Sequence, residues 1–243
     1  MNPWDEWGKT IIKEYLDSPN KFLRKQQISK TMHPSGNHQA YWDKVKDRKD
    51  LIRAAKDSKI GEPKLWKETE CSFVSLQNIL YRTIMEDNGL IDFDSITEIG
   101  GGYGNNARFQ RNLKFDGPIN LLDIFPVSRV QKEFCEKNKL KNITFGSVSE
   151  NAIKPTTENS LLYSTFALSE MPFDQREIVK SSVHLYKYVF IAYKLSEFSK
   201  VNNVEYFKQF SDHMTSNGFE TKFLKSVGPQ TQFLIGVKSD NPK

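Results

Sequence analysis

The 243-residue sequence predicts an α/β fold: a mostly parallel sheet of seven strands that ends in an antiparallel hairpin, preceded by a helical region. Three observations predict it. After Leu90, short alternating or apolar runs take turns with helical patterns, which argues for parallel strands joined by helical crossovers. The run Glu98-Ile99-Gly100-Gly101-Gly102-Tyr103-Gly104 sets four glycines directly between one such strand and one such helix. Finally, 219–227 and 231–237 alternate as two strands joined only by Gly228-Pro229-Gln230, a link too short for a crossover.

In chain order, helices are expected over 5–16, 19–29, 38–56 and 75–88. The last carries Leu76, Ile79, Leu80 and Ile84 on one face, with Gly89 placed to stop it. Pro34-Ser35-Gly36-Asn37 and Gly61-Glu62-Pro63 interrupt the pattern. The composition then changes near Leu90, which divides the chain into a helical region, 1–90, and an α/β region, 91–243. Strands are expected at 95–99, 119–124, 143–146, 160–166 and 188–194, with helices at 103–113, 126–138 and 174–185 between them. A helix over 204–217 turns Tyr206, Phe207, Phe210 and Met214 inward and meets Gly218 as its stop.

Glycines in the 98–104 run permit positive φ angles and let the backbone approach a ligand without a Cβ in the way. The next expected strand ends in Asp123, 19 residues after Gly104, where a carboxylate can hold two ribose hydroxyls. Gly102-Tyr103-Gly104-Asn105-Asn106-Ala107 also fits the dinucleotide fingerprint G-x-G-x-x-G/A, so a nicotinamide-dependent oxidoreductase stays open as an alternative. Against it stand the C-terminal hairpin and the absence of a Tyr-x-x-x-Lys pair.

Over about 91–238, these residues make the chain resemble the class I S-adenosylmethionine-dependent methyltransferases. More narrowly, Glu98–Gly104 together with Ser164-Thr165-Phe166-Ala167-Leu168-Ser169-Glu170-Met171 resembles the group of sugar O-methyltransferases. The resemblance implies a Rossmann-like methyltransferase sheet with an N-terminal helical cap and S-adenosylmethionine as cofactor. It implies that Glu98, Gly100 and Gly102 meet the methionine part of that cofactor, and that Asp123 holds the ribose. Ile124 and Phe125 would wall the adenine, with Ser147, Val148 and Thr165 nearby. At Ser147 the family often has an acidic residue, so the contact to the adenine amino group is in question. Asn105 could cap the following helix or contact the cofactor carboxylate.

Methyl transfer to a sugar hydroxyl needs alignment and a proton acceptor. Glu170, just beyond the fourth strand, and His33 and His38, flanking the Pro34–Asn37 turn, are the candidate catalytic groups. Tyr41 and Trp42 are candidate acceptor-binding residues, because aromatic faces stack on sugars. No paired acidic set suggests a metal site. The acceptor implied is a sugar or glycan precursor, its oxygen a hydroxyl or one of phosphoryl type, in bacterial surface-polysaccharide synthesis. A non-catalytic cofactor-binding scaffold is the alternative from another class.

The net charge of +5 is spread along the chain, with 16 basic and 13 acidic residues before Leu90 and 19 and 17 after it. That is no phosphate-binding track, and no nucleic-acid partner is expected. No run reaches the roughly 20 apolar residues of a membrane span. Acidic residues through the first 20 positions exclude an apolar leader there, and Cys71 and Cys135 read as free thiols. A cytoplasmic enzyme follows as the expectation, with a homodimer left open.

Overall fold

A computed structural model describes residues 3–66, 69–148, 153–198 and 200–239. The chain divides into two compact units, one of residues 1–88, 101–116 and 124–143, the other of 89–100, 117–123 and 144–243.

The first unit is helical: α1 (Pro3–Asp17), α2 (Gln26–Met32), α3 (His38–Val45), α4 (Lys49–Ala55), α5 (Phe73–Asp87), α6 (Asn105–Asn112) and α7 (Phe125–Lys137). Its core gathers Ile11, Tyr15, Phe22, Leu23, Ile28, Met32, Tyr103, Val127, Val130 and Phe134. Ends are set by local chemistry where the sequence provides it. Ser72 Oγ accepts the Ser75 N–H at the start of α5, Asn37 accepts the Ala40 N–H at the start of α3, and Gly89, at φ 75°, follows α5.

Two expected helices are revised. The single helix expected over 38–56 is broken into α3 and α4 at 46–48. The run Lys46-Asp47-Arg48-Lys49-Asp50 offers no apolar side chain to bury, and Arg48 instead pairs with Glu86 of α5. The helix expected over 19–29 becomes a 3-10 turn, Phe22–Arg24, followed by α2. Here the Glu14 carboxylate of α1 accepts the Gln27 and Ile28 N–H groups and fixes where α2 begins.

The second unit is a seven-stranded sheet built from β1 (Ser95–Ile99), β2 (Ile119–Leu122), β3 (Ile143–Gly146), β4 (Ser160–Thr165), β5 (Tyr188–Lys194), β6 (Phe219–Lys225) and β7 (Thr231–Lys238). Their order is β3-β2-β1-β4-β5-β7-β6. β1 runs parallel to β2 and β4, with Glu98 opposite Leu121 and Tyr163, and β4 runs parallel to β5. β7 is antiparallel to both β5 and β6, so the hairpin places the last strand between the fifth and sixth. All five residues of β1 are buried, as a central strand covered on both faces requires.

Among the described residues this unit also holds the α-helices α8 (Ala167–Glu170), α9 (Phe173–Ser182) and α10 (Asn203–Ser216). Tyr206, Phe207, Phe210 and Met214 of α10 join Ile99, Leu162, Val189, Ile191 and Leu234 in the core. The short α8 was not among the expected elements; it follows a reversal at Phe166.

Candidate active site

The parallel strands deliver their chemistry at their carboxyl ends, where open α/β sheets bind ligands. Gly100 directly follows β1 and Asp123 directly follows β2. The Gly100 N–H donates to Leu122 O at 2.8 Å, and the Asp123 N–H donates to Gly146 O at 2.9 Å. Glu98, two residues before Gly100, is 2 % exposed, whereas Asp123 is half-buried. Gly100 has φ 76°, and a Cβ there would stand 1.9 Å from the Ala167 Cβ. The first glycine of the run is therefore required twice, by its backbone angle and by the approach of α8. Ser147 and Thr165 are half-buried at the ends of β3 and β4. Val148 lies in the apolar core.

At the end of β4 the backbone reverses through Phe166, which holds φ 70° and ψ −33°. A bulky residue in this region is strained by about 1–3 kcal/mol and persists only where its surroundings fix it. They do so here: Phe166 N–H donates to Ala192 O at 2.7 Å, and the Ser169 N–H and Oγ–H donate to Phe166 O at 3.0 and 2.6 Å. The reversal presents Glu170, which pairs with Lys194, the last residue of β5. The ammonium also lies 6.0 Å from the centre of the Phe166 ring. Arg176 of α9, fully buried, donates to Ser169 O at 2.7 Å, Met171 O at 2.8 Å and Asn203 Oδ1 at 2.6 Å. Its guanidinium thus grips the carbonyls on either side of Glu170.

In the helical unit the turn 101–104 leads into α6. Gly104 begins that helix at φ 92°, with no side chain capping it and no acidic residue in its first turn. Asn105, expected as a cap or a cofactor contact, is buried and committed elsewhere. Its Nδ2 donates to Ser75 Oγ at 3.0 Å, and its Oδ1 accepts from Arg108 Nε at 2.9 Å. Arg108 reaches on to Ala55 O, Lys56 O and Asp57. Asp57 also accepts from Ser72 N and Ser75 Oγ at 2.6 and 2.8 Å. Burial pushes the Asp57 carboxyl up from its ordinary value, while Arg108 and the serine donors pull it back.

The two histidines differ. His33 is 3 % exposed, and its Nε2 accepts the Lys64 N–H at 3.0 Å. Burial first, then Arg24, Lys64 and His38, lowers its pKa to about 4. Its Nε2 lone pair is already engaged, which corrects the expectation that this imidazole stands ready as a general base. His38 is half-buried in an aromatic cluster, stacked on Trp66 at 5.9 Å and edge-on to Phe73 at 5.2 Å. Tyr41 packs on Phe73 at 5.0 Å and Trp42 on Trp66 at 5.7 Å, so His38, Tyr41 and Trp42 do come together. Ile124 packs against the helical core, and Phe125, the first residue of α7, is 74 % exposed.

Sequence reasoning missed Arg176, Lys194, Phe166 and the Asp57–Arg108 pair. Phe166 and Lys194 carried a legible signal, each as the terminal residue of an expected strand. Among the described residues no group of three His, Cys, Asp or Glu could hold a metal ion. Cys71 and Cys135 are buried free thiols, with Cys71 pushed up to about 12, chiefly by burial. No helix among the described residues is long and apolar enough to cross a membrane.

Neither a protein-family profile nor a curated protein matches the sequence. Solved structures do match the fold. The methyltransferase domain of bacterial CtHen1 aligns over 65% of this chain and 97% of that chain, with TM-score 0.51 and 11% identity. A proposed RNA methyltransferase from Pyrococcus horikoshii aligns over 82% of this chain and 98% of that chain, with TM-score 0.50 and 15% identity. Together with the strand order, this likeness shows that the chain has the Rossmann-like class I methyltransferase fold.

Proposed function

We propose that this chain is an S-adenosylmethionine-dependent methyltransferase that methylates an oxygen of a sugar or glycan-precursor acceptor, in the cytoplasm and in surface-polysaccharide synthesis. The observation that carries the cofactor assignment is the pair of carboxylates at neighbouring strand ends. Glu98 and Asp123 bracket Gly100, whose missing Cβ is what lets the backbone close on α8. When bound, S-adenosylmethionine supplies a methyl group activated on a sulfonium. Glu98 is suited to its ammonium and Asp123 to its ribose hydroxyls. Phe125 is an aromatic side chain left in solvent directly after Asp123 and Ile124, which suits a wall for a planar base. Gly102, Ser147 and Thr165 complete the set, and Asn105 acts by bracing the start of α6.

For the acceptor, two clusters support a polyhydroxylated molecule. Half-buried His38, Trp42 and Trp66 offer aromatic faces for the apolar face of a sugar ring, with Tyr41 and Phe73 buried behind them. Glu170, Lys194 and the Phe166 ring combine an acceptor of hydroxyl protons, a donor and a stacking surface with no net charge. In this reading Glu170 takes the proton from the acceptor hydroxyl at its carboxylate. The region 1–90 supplies the selecting residues. The antiparallel β6–β7 hairpin speaks against the nicotinamide alternative.

Calorimetric titration with S-adenosylhomocysteine, repeated on Asp123→Ala, tests the cofactor. Micromolar binding is expected, weakened roughly tenfold to a hundredfold by the substitution. Nucleotide-linked sugars with S-adenosylmethionine as methyl donor would then be screened for methylated product. Binding of NAD in place of S-adenosylhomocysteine overturns the proposal.

A further inference from the structure

We propose that His33 is a binding residue for an anion: its Nδ1–H donates to a carboxylate seated over the turn 101–104, at the amino end of α6. His33 carries a buried donor with nothing among the described residues to bond. Nε2 accepts the Lys64 N–H, so the proton of the neutral ring is on Nδ1. At 3 % exposure that Nδ1–H has no hydrogen-bond partner among the described residues. Buried polar groups are nearly always paired, and a donor left unpaired in this way points to an acceptor that arrives with a ligand.

The chain around His33 indicates which ligand group. Met32, its neighbour, lies over the turn: a Cβ at Gly102 would be 3.8 Å from Met32 Cβ and 4.0 Å from Met32 O. The imidazole itself lies 5.9 Å from the Tyr103 ring, centre to centre. The same turn opens α6, an eight-residue helix whose amino end no side chain caps and whose first turn carries no acidic residue. Helix amino ends attract anions through their free N–H groups and dipole. Arg24 and Lys64, the cations felt at His33, add positive potential. His33 thus carries a neutral donor under the influence of two cations, and its neighbour Met32 covers the turn that opens α6; each of these favours an anion there.

The assignment rests on the cofactor reading above, in which the amino-acid end of S-adenosylmethionine meets the glycine run. It identifies His33 as the donor to that carboxylate, in place of the base expected from sequence. The test uses two probes, S-adenosylhomocysteine, which has the carboxylate, and 5′-methylthioadenosine, which lacks the amino-acid portion. In His33→Gln the amide lies at the Nε2 position, so S-adenosylhomocysteine should bind roughly tenfold to a hundredfold more weakly while methylthioadenosine is unchanged. In His33→Asn the amide nitrogen falls near Nδ1 and should restore most of the affinity. In the wild-type protein, nitrogen-detected NMR should show Nδ1 protonated, with its proton moving downfield as S-adenosylhomocysteine binds. Equal weakening of both probes, no weakening of either, or an unprotonated Nδ1 overturns the assignment. Failure of both probes to bind the wild type overturns the cofactor reading itself, a distinct result.

Discussion

Replacing Gly100 with alanine isolates the contact that shapes the candidate site. The residue holds φ 76°, and the new methyl would begin 1.9 Å from the Ala167 Cβ, where carbon atoms normally rest about 3.5–4.0 Å apart. The left-handed angle alone costs a non-glycine residue about 1–2 kcal/mol, and forcing a methyl into packed space adds about 1–3 kcal/mol. Gly89 provides the internal control, because it has φ 75° but nothing within 4 Å of where its Cβ would be. Gly89→Ala should therefore cost about 1–2 kcal/mol and Gly100→Ala about 2–5 kcal/mol. Urea unfolding of both variants reads the difference directly: with an m-value of about 2 kcal/mol per molar, the Gly100→Ala midpoint should fall about 0.5–1.5 M further. Adding Ala167→Gly to Gly100→Ala should recover the steric part, with Ala167→Gly alone as the fourth corner of the cycle. Equal losses at Gly89 and Gly100, or no recovery in the double variant, would refute the argument.

Two further perturbations concern the helical unit. Because His33 has a pKa of about 4 when folded, against about 6.5 in an unfolded chain, its contribution to stability is complete above about pH 6.5 and is lost as pH falls toward 4. Between pH 7.5 and pH 4.5 the wild type should lose about 2–3 kcal/mol more than His33→Phe in urea denaturation; equal losses would show that the imidazole does not resist protonation in the fold. Arg108→Met leaves the Asp57 carboxyl buried without its cation and should destabilise the protein by about 3–5 kcal/mol, more at pH 8 than at pH 5. A loss under about 1 kcal/mol in thermal or chemical unfolding would show that the guanidinium does not support the start of α6.

The amino-acid sequence by itself determined the elements whose signals are local. Ser95–Ile99 reads as a strand because polar and apolar residues alternate along it, and Gly89 and Gly218 end their helices because glycine takes φ 75° and 85° without a Cβ penalty. The antiparallel hairpin followed from the shortness of its connection. The places of Glu98, Gly100 and Asp123 at the ends of β1 and β2 were legible for the same reason, since strand, turn and strand follow one another along one stretch of chain. Tertiary structure alone decided what depends on partners distant in sequence. The break between α3 and α4 accompanies the Arg48–Glu86 pair, 38 residues apart, and the start of α2 is set by Glu14 on another helix. At the candidate site, Glu170 meets Lys194 across 24 residues and Arg176 meets Asn203 across 27. His33 Nε2 accepts the N–H of Lys64, 31 residues further on. No periodicity encodes these pairings, because a side chain's basicity and hydrogen bonds depend on which groups the fold brings within about 3 Å of it and on how completely it excludes water.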